Sequence, residues 1–184
     1  MVRAARAARR RDPPGRVTLR AMATRRSSAL YWIIGRVGTS RIVSRLHPRV
    51  YRLTGGRGVV GRSMGMRHVV VTTIGRRTGT RREIPLYATE DGPRLLLVGS
   101  YAGRERDPAW VGNLVAHPEA AVRIGREVRR MRARVAEGED RDRAWALAVD
   151  AYPGYEAYQR WTRRRIPVVV LEPADEADDA EGAA

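Results

Sequence analysis

The sequence predicts an α+β domain in which a small antiparallel β-barrel carries two or three outer helices. Three observations point to it: β-branched or alternating runs recur in short blocks, turn residues separate them, and helical periodicity falls in the gaps between them. With 184 residues and 43% apolar side chains, the chain can bury one sizeable core but not comfortably two.

The elements follow in order. Val69, Val70, Val71, Thr72, Thr73 and Ile74 form a β-branched run that stops at Gly75. Ile84 to Glu90 and Arg94 to Ser100 read as strands joined across Asp91-Gly92-Pro93, which has hairpin-turn chemistry. A short helix is expected from Pro108 to Ala116, with proline at an early position where its missing amide costs nothing. Ala121 to Ile124 and Val128 to Val135 resume strand. In the second, Met131, Ala133 and Val135 alternate with Arg130, Arg132 and Arg134, which predicts one buried side and one solvated or ligand-facing side. Glu139 to Ala151 reads as a helix, with Asp140 and Asp142 near its positive end and Trp145, Leu147, Ala148 and Val149 for packing. Tyr152-Pro153-Gly154 ends it, a short helix runs through Tyr155 to Thr162, and the strand Ile166 to Leu171 closes the domain.

Four segments result: a disordered basic extension over 1–27, an amphipathic helical segment over 28–62, the barrel domain over 63–173, and an acidic disordered tail over 174–184. The extension lacks the apolar stretch of a secretory signal, and Met22 is an alternative start. Leu30 to Ile34 is too short to cross a bilayer. Between Ser40 and Leu53 the apolar Ile42, Val43, Leu46, Val50 and Leu53 fall near helical spacing, with Arg41, Arg45, Arg49 and Arg52 interleaved. Pro48 makes two shorter helices as plausible as one. Such a segment either packs on the barrel or lies on an anionic membrane surface.

The net charge is +16, and all 36 basic residues are arginine. Residues 1–62 hold 16 arginines against the single acid Asp12, whereas 63–184 hold 20 against 19 acids. The excess therefore belongs to the N-terminal third, where it supplies long-range, salt-screened attraction to anions. The nearly neutral remainder lacks a nucleic-acid-binding signature, so no nucleic acid partner is expected. The absence of cysteine removes disulfides, thiolate nucleophiles and cysteine metal sites. His47, His68 and His117 have no ligand-spaced partners, and no metal site is expected.

Two constellations carry chemistry. Gly75-Arg76-Arg77-Thr78-Gly79-Thr80-Arg81-Arg82 is a glycine-bounded loop with four arginines between two strands, followed by Pro85-Leu86-Tyr87. Its glycines permit a tight path with amides pointing inward, and its guanidinium forks match phosphate and carboxylate oxygens. It suits a polyanion or is an ordinary solvated turn, and it is neither a P-loop nor a dinucleotide fingerprint. The second is tyrosine: Tyr155 and Tyr158 share one helical face, Tyr152 precedes it, and with Tyr87 the phenols can gather over one pocket or simply pack.

Thr72 to Gly79, Arg82, Pro85-Leu86-Tyr87, Gly99-Ser100, Pro108-Ala109-Trp110, Asn113-Leu114 and Pro118 together resemble the signature of the deazaflavin-dependent nitroreductases. So do Ala151 to Gln159 and Ile166 to Pro173, and the match keeps order and spacing from about Leu53 to Pro173. The resemblance implies a split β-barrel related to flavin-binding oxidoreductases, with coenzyme F420 in a groove beside the arginine loop. It assigns Arg77, Thr78, Gly79, Thr80 and Arg82 to the phosphate and oligoglutamate tail, and Pro85, Ser100, Tyr101, Ala109 and Trp110 to the deazaflavin. Tyr87, Ser100, Tyr152, Tyr155 and Tyr158 would shape the acceptor site, with Ser100 and Tyr158 as catalytic hydrogen-bond donors.

The implied reaction is hydride transfer from reduced deazaflavin to a small electron-poor acceptor, a quinone or a nitro compound. An FMN-binding or non-catalytic cofactor-binding barrel is the alternative. Arg77 stands where the family commonly has lysine, Arg81 where proline is frequent, and Tyr101 where a basic residue often sits. The implied location is the cytoplasm, or the inner face of the cell membrane if the N-terminal segment binds it.

Overall fold

The β-branched run is hydrogen-bonded along both edges. In the computed structural model, which describes residues 48, 50–55, 62–63 and 66–174, a two-residue strand β1 (Arg62–Ser63) precedes β2 (Met66–Ile74). β2 pairs antiparallel with β3 (Arg81–Asp91) on one side and with β5 (Glu119–Ile124) on the other. β3 continues to β4 (Arg94–Val98), β4 to β7 (Val168–Pro173), β7 to β6 (Glu127–Val135) and β6 back to β5. Six antiparallel strands thus close a barrel, with β1 as an appendage. The architecture is the α+β split barrel anticipated from the sequence.

Helices α1 (Ala109–Ala116), α2 (Gly138–Ala151) and α3 (Gly154–Arg160) lie outside the strands. Val69, Val71, Leu95, Leu97, Val122, Met131, Val169 and Leu171 fill the barrel, with Trp110 and Leu114 of α1 in the same cluster. On the other face of β4 and β7, Leu96, Val168 and Val170 meet Ala144 of α2. Those two strands are buried on both faces, which is why they read as unbroken apolar runs rather than alternating ones. β6 is covered on one face, so Met131 and Ala133 are buried while Arg130, Arg132 and Arg134 are exposed.

Several boundaries move. β3 begins at Arg81, three residues before the expected start, because ladder bonds use only the backbone and Arg81 and Arg82 pair with Ile74 and Thr73. β4 stops at Val98 instead of Ser100, β7 runs over Val168–Pro173, and α3 ends at Arg160. Leu147 was expected to pack but is exposed, since α2 turns Arg141, Ala144 and Ala148 inward. Near the N-terminal boundary, 50–54 is helical, and its anchor is Tyr51 at 1% exposure; Val50 and Leu53, expected on the apolar face, are exposed. The Tyr51 hydroxyl donates to His68 O at 2.8 Å and accepts from Gly125 N at 2.9 Å, tying this turn to the barrel. The basic extension, most of the amphipathic segment and the acidic tail lie outside the described residues.

Candidate active site

The barrel is split along part of β3. β4 pairs only with Ala88–Asp91, leaving Arg81–Tyr87 bonded to β2 alone, and Ile84, Pro85, Leu86 and Tyr87 are all half-buried. Pro85 is compatible with a strand here because a missing amide is harmless on an unpaired edge. The open edge starts at the arginine loop and ends at Tyr87, whose ring meets His68 edge-on at 4.2 Å between centroids.

The loop is tight. Gly75 N donates to Thr80 O at 2.9 Å, Thr78 N and Gly79 N both donate to Gly75 O, and Gly79 takes a left-handed φ of 63°. Arg76 N donates to Asn113 Oδ1 at 3.2 Å, and Thr80 N reaches Thr78 Oγ1. The amides do point inward, but onto the loop's own oxygens and Asn113, so these four backbone groups and Thr80 N are already engaged. The ligand-binding capacity therefore rests on side chains: Arg77, Arg81 and Arg82 are exposed, and among the described residues they have no ion-pair partner. Thr78 Oγ1 and Thr80 Oγ1 lie 2.8 Å apart beside them.

Arg76 fixes the loop to α1. Its Nη1 donates to Ala109 O at 3.1 Å and lies 3.4 Å from Asn113 Oδ1, while Asn113 Nδ2 donates to Thr73 Oγ1 inside the barrel. Gly112 makes room, since a Cβ there would fall 2.9 Å from Arg76 Nη1. Ala109 is exposed beside the loop. Trp110, expected against the deazaflavin, is 6% exposed and packs in the barrel core, because the first turn of α1 directs it onto the strands.

Ser100 and Tyr101 follow β4. Tyr101 and Ala102 hold positive φ values of 46° and 54°, which costs roughly 1–2 kcal/mol each for residues with a Cβ. Tyr101 is half-exposed, with the Arg104 guanidinium 4.6 Å from its ring centre. Ala102 packs against the tyrosine cluster, and a Cβ at Gly103 would fall 2.9 Å from Tyr158 O. The turn is thus seated directly on α3.

The tyrosines come together by packing on one another. Tyr152, Tyr155 and Tyr158 form one cluster, with Tyr87 packed against it. Tyr152 and Tyr155 meet edge-on at 5.0 Å, the hydroxyls of Tyr152 and Tyr158 lie 3.1 Å apart, and Tyr155 donates to Met66 Sδ at 3.7 Å. All three are only 4–5% exposed, so they pack as a buried cluster rather than an open rim. Burial, with Tyr152 and Tyr87 adding to it, pushes the Tyr155 hydroxyl far above the usual phenol range. It is a neutral group at physiological pH.

Sequence reasoning missed Arg76 as an anchor, Thr73 as its buried support, and Arg164, whose guanidinium reaches the Ser100 turn. Gly112 inside a helix was the available signal for the first, because such a glycine marks a close approach. Arg164 had none, standing between two other arginines. A cavity of about 300 Å³ lined by Leu114, Val115, Pro118, Arg134 and Glu137 lies apart from these residues, and its one arginine is already paired to Asp140 and Glu172.

The family model for F420H(2)-dependent quinone reductases matches residues 43–173. The chain belongs to that family. A Mycobacterium tuberculosis protein, named an F420H(2)-dependent quinone reductase with the assignment marked as provisional, is 37% identical over 98 residues, covering 53% of this chain and 82% of its own. A solved F420-H2 dependent reductase is 40% identical with a TM-score of 0.54, over 57% of this chain and 93% of its own. A second solved structure, a domain-swapped dimer, is 35% identical with a TM-score of 0.57, over 70% and 95%. As an F420H(2)-dependent quinone reductase family member the chain is an oxidoreductase, and the family's name specifies quinone reduction where the sequence resemblance carried a nitroreductase label. Among the described residues, no helix is long and apolar enough to cross a membrane.

Proposed function

We propose that this protein binds reduced coenzyme F420 along the open edge of β3 and uses it to reduce a quinone. The observation that carries the reading is the cationic loop: Arg77, Arg81 and Arg82 stand exposed and unpaired among the described residues, on a turn anchored to α1 by Arg76. A phosphate and a run of carboxylates fit such a donor set, since guanidinium groups bind both in bidentate fashion. When bound, the deazaflavin supplies a hydride, and the quinone becomes a hydroquinone by taking that hydride and then a proton.

The chain's own residues bind, orient and exclude water. Arg77, Thr78, Thr80 and Arg82 hold the anionic tail through their side chains, Gly79 supplies the left-handed turn that presents them, and Pro85, Ser100, Tyr101 and Ala109 border the ring. Trp110 supports this site from the core rather than through an exposed ring. Tyr87, Tyr152, Tyr155 and Tyr158 back the acceptor, the Ser100 hydroxyl is the donor offered to the charge developing on its oxygen, and the buried Tyr158 hydroxyl joins it by exchanging its Tyr152 contact for that oxygen. Positioning and charge stabilisation are what such a reaction asks of the protein.

The test is a fluorescence titration with F420, repeated with Arg82→Ala and with an FMN control, followed by turnover of F420H2 with menadione and with a nitroaromatic. F420 binding weakened about tenfold or more by Arg82→Ala, as for loss of a charged hydrogen bond, supports the reading. Preference for FMN, or binding indifferent to Arg82, overturns it.

A further inference from the structure

Arg163, Arg164 and Arg165 are consecutive and chemically alike, yet the structure treats them differently. Arg163 and Arg165 are exposed, whereas the Arg164 side chain is 14% exposed and every nitrogen of its guanidinium is used. Nε donates to Arg104 O at 2.8 Å, Nη1 pairs with Asp107 at 2.6 Å, and Nη2 donates to both Gly99 O at 2.9 Å and Ser100 O at 2.8 Å. All four acceptors belong to the 99–107 loop, which contains the left-handed Tyr101 and Ala102.

The backbone behind Arg164 is tied to α3. Gln159 Nε2 donates to Arg164 O at 2.7 Å, and Gln159 Oε1 accepts from Ile166 N at 2.9 Å. One neighbour reinforces the clamp, since Thr162 Oγ1 donates to Glu105 Oε2 at 3.0 Å. A left-handed pair of non-glycine residues persists only where its surroundings over-determine it. Here a planar fork fixed to the tyrosine helix grips the loop on both sides of that pair.

We propose that Arg164 is a positioning residue for hydride transfer, locking the Ser100–Tyr101 turn in register with the tyrosine wall of α3. The proposal rests on the functional reading above. Burial lowers the guanidinium's pKa, with Asp107 and Glu105 opposing, but arginine remains charged throughout the working range. Lysine would retain the charge and the Asp107 pair, yet a single ammonium cannot reach Gly99, Ser100 and Arg104 in the geometry of the fork.

The experiment compares wild type, Arg164→Lys, Ser100→Ala, their double variant and the surface control Arg165→Lys, measuring F420H2 affinity, thermal melting, and kcat and KM with menadione. Arg164→Lys should lower kcat about tenfold or more while F420H2 affinity falls by less, because the arginine loop that holds the tail is untouched, and should cost little further in the Ser100→Ala background, the signature of residues acting as a unit. Arg165→Lys should behave as wild type. If Arg164→Lys does not fold, Asp107→Ala removes one of the four contacts and should show a smaller, equally non-additive loss. Additive losses, or a fully active Arg164→Lys, overturn the positioning role alone. Wild-type protein that binds no F420H2 overturns the functional reading, and this proposal falls with it.

Discussion

Asn113 Oδ1 accepts from the backbone N–H of Arg76 at 3.2 Å and lies 3.4 Å from the same residue's guanidinium, so one buried amide oxygen positions both ends of the first loop arginine. The other side of that amide is spent on Thr73, which is fully buried. Asn113→Ala would leave Thr73 without this donor and free the loop from α1. A loss of about 1–3 kcal/mol is expected from the unsatisfied group, read as a shifted urea midpoint. F420 affinity should fall as well; a variant with full affinity would show that the loop holds its shape without α1.

Gly112→Ala separates these two effects. Alanine inside a helix is favoured over glycine by about 0.8–1 kcal/mol. The added Cβ meets only the tip of a flexible side chain, the Arg76 guanidinium at 2.9–3.3 Å. The expected outcome is stability equal to or above wild type, with weaker F420 binding because Arg76 no longer rests on Ala109 O. A drop in the melting midpoint comparable to that of Asn113→Ala would mean that Arg76 cannot move aside.

The strands and helices were legible because their signals are local. The Val69–Ile74 run, the Asp91-Gly92-Pro93 turn and the alternation of Met131 and Ala133 with arginines each report burial through side-chain period alone. The candidate site was legible where residues are neighbours in sequence, as in the arginine loop and the tyrosines of α3. Contacts between distant segments were not: Arg164 lies 64 residues from Ser100, and nothing in an arginine triplet says which member is buried. The burial of Trp110 is illegible for a related reason, since exposure of a first-turn residue depends on how the helix is rolled against the barrel. Leu147 and Leu53 failed similarly, because helical spacing defines a face without fixing which face the barrel covers.

Gly154→Ala probes the tyrosine wall. A Cβ at this position would overlap the Tyr152 ring, which is 5% exposed and is held edge-on against Tyr155 and through its hydroxyl against Tyr158, so moving it disturbs both. Overpacking of this kind costs about 1–3 kcal/mol, measurable by urea denaturation. The same change should raise KM for the quinone more than it affects F420 affinity, since the arginine loop is not touched. Equal losses in both would place the tyrosines nearer the cofactor than the acceptor.

Tyr155 predicts how stability responds to alkali. Burial, aided by Tyr152 and Tyr87, raises the pKa of its hydroxyl in the folded protein well above the value near 10 of an unfolded chain. Above that unfolded value the unfolded chain binds fewer protons than the folded one, so stability falls as pH rises. The contribution is fully present below about pH 10 and is lost progressively above it, at up to about 1.4 kcal/mol per pH unit for one group. Urea midpoints for wild type and Tyr155→Phe at pH 8, 10 and 11 measure this directly. The difference between the two proteins should stay constant from pH 8 to just below 10 and then shift in favour of Tyr155→Phe. Parallel curves up to pH 11 would mean that the hydroxyl reaches solvent and that the wall is open.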